Sequence, residues 1–280
     1  MTDASVAAPR PEAIVEASAP AKVNLTLHVT GQRADGYHEL DSLVVFADVR
    51  DTLRLAPSET MRMSVNGAFA EGVPADARNL VWQAAEKCGG IFDISLAKNI
   101  PHGAGLGGGS SDAAAVLREL KRPDLAAQLG ADVPVCLSAQ PQRMRGIGQF
   151  LDAAGLMPEL ALVLVNPGVH VATPDVFRAL DRKINPPMPP LPKGIDADWI
   201  GWLSEKRNDL QAAAVSIAPV IGDALAVLDD ALLARMSGSG ATCFGIYPDM
   251  AAAQSAADRI AGDRPDWWVT ATRTIGATPS

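Results

Sequence analysis

From Ala21 to Thr30 apolar and polar residues alternate strictly: Val23, Leu25, Leu27 and Val29 interleave with Lys22, Asn24, Thr26 and His28. That period of two predicts a half-buried strand and puts Lys22 and Asn24 on one polar face. Strand patterns recur at Leu43–Val49, Thr52–Leu55, Met61–Val65 and Phe92–Ala97, and Ala161–Val165 reads as a fully buried strand. Asn79 is placed to cap a helix that runs to about Cys88 and stops at Gly89. Ser110, Ser111 and Asp112 supply cap and first-turn chemistry for a helix over Ala113–Leu120. A short helix is predicted over Leu125–Leu129, ended by Gly130, and Asp132 stands just before Pro134, a residue suited to a first helical turn.

Farther along, Thr173, Pro174 and Asp175 start another helix, with Phe177 in its first turn. Ile184–Ile195 carries five prolines and predicts an irregular surface loop. Helical segments follow to about Leu228. A strand–turn–strand unit surrounds Ser237–Gly240, with a helix over Met250–Ile260 and a last strand near Trp268. Strands and helices mix without strict alternation, which favours α+β over a doubly wound sheet. No internal repeat is visible, and a boundary fits best near Asp152–Pro158.

Composition narrows the function. The 280 residues are 48% hydrophobic and only 5% aromatic, so the core rests on Ala, Val, Leu and Ile. The net charge of −8, with no Lys/Arg cluster, argues against general nucleic-acid binding. Three scattered cysteines (Cys88, Cys136 and Cys243) suit a reducing cytoplasm rather than a disulfide framework. Cys243 has no candidate base beside it in sequence and reads as buried and inert. Residues 1–18 read as a loose tail, not a signal peptide, and no apolar run is long enough to span a membrane. The four histidines show no metal-ligand spacing.

The densest chemical signal is Gly103-Ala104-Gly105-Leu106-Gly107-Gly108-Gly109-Ser110-Ser111-Asp112. Such a loop lets main chain approach a ligand closely, and the helix behind it offers orphan N–H groups to an anion. No Gly-Lys-Ser/Thr follows, so this is not a Walker A loop. Gly103, Gly105 and Gly108 also satisfy G-x-G-x-x-G, with Asp132 near the spacing of a ribose-binding acid. The helical reading of Leu125–Gly130 and the following Pro134 count against that dinucleotide alternative.

Read from Pro101 through Ala114, the loop resembles the second motif of the GHMP kinases. Ala19-Pro20-Ala21-Lys22-Val23-Asn24-Leu25 is similar to their first motif, and Ser237-Gly238-Ser239-Gly240-Ala241-Thr242 to their third. Thr30–Leu40, with Tyr37 and His38, resembles the signature of the branch acting on a cytidine-diphosphate-linked methylerythritol. Leu129–Val135 and Asn166-Pro167-Gly168 are similar to the same branch. The resemblance covers nearly the whole chain and is weakest in the Pro-rich loop and beyond Thr242. The connection from Leu120 to Leu129 is about ten residues shorter than in many members, which alters local architecture and leaves the motifs intact.

The resemblance implies an α+β, two-domain GHMP kinase fold. Residues 19–153 would form an N-terminal, ribosomal-protein-like α/β domain that binds ATP, and residues 154–280 a ferredoxin-like α+β domain. It implies ATP and Mg²⁺, a small-molecule substrate, no nucleic acid or membrane partner, and a cytoplasmic monomer or homodimer. The reaction implied is transfer of the γ-phosphoryl group to the 2-hydroxyl of the cytidine-linked methylerythritol, giving the 2-phosphate and ADP in non-mevalonate isoprenoid synthesis. Asp132 matches the catalytic Asp and Lys22 its cationic partner. Pro101, Gly103, Ala104, Gly105, Leu106, Gly107, Gly108, Gly109, Ser110 and Ser111 would hold the nucleotide. Asn79 lines the adenine pocket or caps its helix, and Ser110 contacts phosphate or metal or caps. Tyr37 and Phe177 would stack on the base while His38 meets its polar edge; Asn24, Gly238 and Gly240 would touch substrate. Two alternatives remain. A homoserine- or mevalonate-type kinase would not need Tyr37 and His38, and a nucleotide-binding regulator would not need Lys22 with Asp132.

Overall fold

The computed structural model describes residues 13–276, in two compact units whose segments alternate along the chain. The first unit takes the stretch up to Pro20, Arg50–Ile100 and Gly108–Leu137. The second takes Ala21–Val49, Pro101–Gly107 and everything from Ser138 on. Strand β1 (Val15–Asn24) starts inside the span expected to be a loose tail; the earlier part of that tail lies outside the described residues. The strand predicted over Ala21–Thr30 breaks after Asn24 and resumes as β2 (His28–Gln32). The two runs expected at Leu43–Val49 and Thr52–Leu55 are one twenty-residue strand, β3 (His38–Pro57).

In the first unit the C-terminal half of β3 pairs antiparallel with β5 (Phe92–Ala97), from Thr52↔Ala97 to Pro57↔Phe92. Strand β4 (Arg62–Asn66) adds parallel to β5. Helices α1 (Leu80–Lys87) and α2 (Gly108–Glu119) pack on one another. Helix α2 begins earlier than its serines suggest, and Ser111 to Leu117 are all buried. Alanine at 113, 114 and 115 allows this, because a helix enclosed on most sides needs small residues where neighbours approach. Ser111 Oγ donates to Pro20 O (2.7 Å), so it anchors β1 and does not cap. The shortened connection is filled by a 3-10 turn at Pro123–Gln128, leading to α3 (Val133–Cys136).

In the second unit the N-terminal half of β3 pairs with β2 and with β6 (Gln142–Gly146), which in turn pairs with β7 (Phe150–Ala153). A second, wholly antiparallel sheet runs β11 (Trp268–Arg273), β8 (Ala161–Asn166), β10 (Cys243–Tyr247), β9 (Leu233–Met236). All six residues of β8 are buried, so its sequence shows no alternation. Helices α4 (Thr173–Arg178), α5 (Trp199–Ser204), α6 (Gln211–Ile217), α7 (Val220–Ala226) and α8 (Met250–Asp263) complete the unit. The core gathers Val163 and Val165 of β8, Ile221 of α7, Leu228, and Ala253, Ala256, Ala257 and Ile260 of α8, whose spacing marks one helix face.

The proline-rich segment 184–195 is irregular, as expected, but it is pinned along its length. Arg207 and the His28 ring donate to Pro186 O, Arg143 to Met188 O and Pro189 O, Trp202 to Pro190 O and Trp199 to Gly194 O. Met188 is buried, and its N–H donates to Asp41 Oδ2 (2.9 Å), the carboxylate that also holds Arg143 through two bonds.

Candidate active site

In the second unit the three glycine- and lysine-bearing motifs meet. Lys22 N donates to Leu106 O (2.8 Å), which lays β1 along the loop Pro101–Gly107. Asn24 N donates to Ser237 Oγ (3.1 Å), 213 residues away in sequence, and Ser237 Oγ donates to Gly105 O (3.0 Å). Thr242 N donates to Ala104 O (3.1 Å), closing the Ser237–Thr242 turn onto the same loop. Gly105 has φ +78°, and a Cβ there would lie 2.8 Å from Gly240 O, so only glycine lets the two loops touch. Gly107 has φ +61°, and its missing side chain is the space along which Lys22 runs; a Cβ would come within 2.9 Å of Lys22 Cε.

Lys22 and Asn24 do share a strand face, but that face is covered: they are 4% and 1% exposed. The expectation of a half-buried strand is therefore corrected. Alternation reports which positions share a side, not whether another element covers it. Asn24 Nδ2 donates to Ser42 Oγ (2.7 Å), while its Oδ1 is buried with no hydrogen-bond partner, beside Gly238. Asn208, not singled out from sequence, holds the third loop by donating to Met236 O and Gly238 O (2.8 Å each). A lone Asn in the connection between α5 and α6 gives no local sign of such a role.

The aromatic pair expected around a base is arranged differently. The His38 ring stacks on Phe177, with centroids 4.8 Å apart and planes 20° apart. Phe177 falls near the end of α4, not in its first turn, and packs against the core. Tyr37 is 61% exposed at the tip of the β2–β3 hairpin, where Arg33 N donates to Tyr37 O, so it is not a core residue. His38 Nε2 is buried without a partner. Burial, and then the charge of Lys183, hold the imidazole below its usual pKa, so near neutrality the ring is uncharged.

In the first unit Gly108 to Ser111 form the opening turn of α2, with Ser110 half-buried and Gly109 exposed. Behind this turn Lys98 Nζ lies between Asp51 Oδ2 and Asp112 Oδ2 (2.7 Å to Asp112), all three buried. Asp51 Oδ1 also accepts from Ile100 N (2.9 Å). Burial first, with Asp51's charge adding to it, pushes Asp112 up to about 7 despite the Lys98 ammonium. Asp112, expected at a cap, is thus part of a buried ion cluster. Asn79 caps α1: Oδ1 accepts from Val81 N (2.9 Å) and Nδ2 donates to Pro74 O (2.8 Å), which engages both ends of its amide. Asp132 stands at the N-cap position of α3, half-buried, and its side chain makes no capping hydrogen bond.

Two sheets with helices, and glycine loops clasping a lysine-bearing strand, are the architecture of a GHMP kinase. Residues 79–139 match the family described as GHMP kinases N terminal domain, and residues 193–264 match GHMP kinases C terminal. The chain is 55% identical over 262 residues to the 4-diphosphocytidyl-2-C-methyl-D-erythritol kinase of Paracoccus denitrificans, covering 91% of this chain and 94% of the relative. The protein of that name from Mesorhizobium japonicum is 46% identical over 281 residues, covering 92% and 95%. A crystal structure of 4-(cytidine 5'-diphospho)-2C-methyl-D-erythritol kinase superposes with a TM-score of 0.75 at 31% identity, covering 94% of this chain and all of that one. Homoserine kinase from Cytophaga hutchinsonii, at 18% identity and a TM-score of 0.67, shares the fold. The chain belongs to the 4-diphosphocytidyl-2-C-methyl-D-erythritol kinase family.

Proposed function

We propose that the protein phosphorylates the 2-hydroxyl of 4-diphosphocytidyl-2-C-methyl-D-erythritol, with ATP as donor and the 2-phosphate and ADP as products. The observation that carries this reading is the meeting of Lys22, the Gly103–Gly107 loop and the Ser237–Gly240 turn, in a chain about half identical to kinases of that name. Gly103–Ser111 holds the triphosphate: positive-φ glycines turn main chain toward the ligand, and the start of α2 offers free N–H groups.

Lys22 stabilises the charge on the phosphoryl group in flight, and Asp132 takes the hydroxyl proton or orients the nucleophile. Asp132 stands at the start of α3 without making a capping bond there. Tyr37, exposed on its hairpin, covers the base, and uncharged His38 presents a ring nitrogen to the base edge with Phe177 behind it. Among the described residues no group of three His, Cys, Asp or Glu side chains is arranged to hold a metal. Ser110 would offer Mg²⁺ one protein oxygen, and the ion would supply neutralisation of charge on the phosphates. Residues 19–153 and 154–280 correspond in sequence order to the two domains. The enzyme works in the cytoplasm, consistent with Cys88, Cys136 and Cys243 being buried thiols outside any disulfide, as a monomer or homodimer without nucleic acid.

The test is ADP release coupled to NADH oxidation, across a panel of alcohols with ATP and Mg²⁺. Turnover is expected with the cytidine-linked alcohol. Faster turnover of homoserine or mevalonate would overturn the assignment.

A further inference from the structure

We propose that Ser42 is a positioning residue: it fixes the amide of Asn24 so that position 24 offers the bound alcohol a hydrogen-bond acceptor and nothing else. The inference deepens the function proposed above and rests on it for the identity of the alcohol.

The argument counts protons. Ser42, fully buried on β3, has its Oγ 2.5 Å from Thr26 O and 2.7 Å from the Asn24 side-chain amide. A carbonyl can only accept, so the single hydroxyl proton goes to Thr26. The hydroxyl can then only accept from Asn24, and the atom facing it must be Nδ2. The other end of the amide, Oδ1, is thereby turned away from Ser42. It is buried, lacks any partner, and opens beside Gly238, where an added Cβ would stand 3.4 Å from it. Ser237 repeats the device on the main chain of the same residue: its proton goes to Gly105 O, and it accepts from Asn24 N. Asn24 therefore cannot rotate its amide without placing two acceptors together at Ser42.

A buried carbonyl oxygen left unmatched is a cost that a ligand donor removes. The same oxygen repels phosphate oxygens, so this position suits a hydroxyl of the alcohol rather than any part of a triphosphate. Lys22, two residues earlier on the same strand face, supplies the opposite polarity.

The experiment measures kcat and both KM values for wild type, Ser42→Ala, Ser42→Thr, Asn24→Ala and the double variant, with melting temperatures. Ser42→Ala is expected to raise the KM of the alcohol about five- to tenfold, the scale of one lost hydrogen bond. The KM of ATP should stay within about twofold, and Ser42→Thr should restore the alcohol KM. In the Asn24→Ala background, Ser42→Ala should have no further effect on the alcohol KM, because it acts through Asn24. An unchanged alcohol KM, parallel shifts in both KM values, or equal effects with and without Asn24 would each overturn the proposal. If the alanine variant does not fold, Ser42→Cys should shift the alcohol KM in the same direction, and no shift overturns it. The ratios are taken on whichever alcohol wild type turns over, so a wrong substrate assignment shows in wild type and a wrong role for Ser42 shows in the variants.

Discussion

At the scale of single residues, the proposed transfer turns on Asp132 and Lys22. Asp132 has the position of a helix cap without making the capping bond, and Lys22 is buried along the missing side chain of Gly107. If both act on one phosphoryl transfer, Asp132→Asn keeps size and one acceptor yet loses the charge. Its kcat should fall roughly 10²- to 10⁴-fold with folding intact. Lys22→Met should cost a similar factor. Residues that work as a unit give non-multiplicative losses, so the double variant should be far less damaged than the product of the two. Steady-state kinetics decides: strictly multiplicative losses mean independent roles, and lost stability with normal kcat makes Asp132 structural.

At the scale of elements, the loop Pro101–Gly107 and helix α2 are held by different means. The loop depends on close main-chain approach. Gly107→Val would place a branched side chain at φ +61°, against Lys22 Cε, so nucleotide binding should be lost while most of the fold remains. Calorimetric titration with a non-hydrolysable ATP analogue checks this, and normal affinity would remove the loop from the site. Helix α2 depends instead on the buried cluster of Lys98, Asp51 and Asp112. Lys98→Met removes the cation and leaves two buried carboxylates facing each other. Breaking a buried pair in this way costs about 3–5 kcal/mol, so the variant should unfold at clearly lower denaturant. An unchanged midpoint would mean that Asp112 already carries its own proton.

At the scale of the whole molecule, much was legible in the sequence because glycine, proline and serine mark local geometry. The three loops, the α1 cap at Asn79 and the buried strand β8 fall where the pattern put them. The rest depended on distant partners. Strand β6 reads Gln-Arg-Met-Arg-Gly, with no apolar stripe, because Arg143 answers Asp41, 102 residues earlier. Asp51 and Lys98 look like surface charges until the chain brings them together, and nothing local tells that Lys22 and Asn24 lie on a covered face.

His28 sets a global property in the same hidden way. Its Nδ1 proton goes to Pro186 O, and its buried Nε2 has no acceptor to receive a second proton. Burial first, and then Arg207, lower its pKa below 6.5, against smaller opposing effects from the Pro186 bond, Asp209 and Asp41. A histidine depressed in the native state binds fewer protons than in the unfolded chain. Its contribution is therefore complete above pH 6.5 and is lost progressively as pH falls below it. His28→Gln keeps a donor for Pro186 O and should show a smaller drop in melting temperature between about pH 7.5 and about pH 5.5 than wild type. Equal drops would show that His28 does not govern acid sensitivity.

The strap 184–195 carries a consequence for how this part of the chain can change over generations. Its neighbours grip it through carbonyl oxygens at 186, 188, 189, 190 and 194, and every residue type presents a carbonyl. The identities of most letters in the segment are thus invisible to the arginines and tryptophans that hold it, and these positions are free to drift. Asn185 and Met188 are exceptions. The Asn185 amide donates to Val29 O (3.0 Å). The Met188 N–H is spoken for by Asp41 and its sulfur lies against Thr26 Oγ1, so proline, present on either side, is barred from position 188.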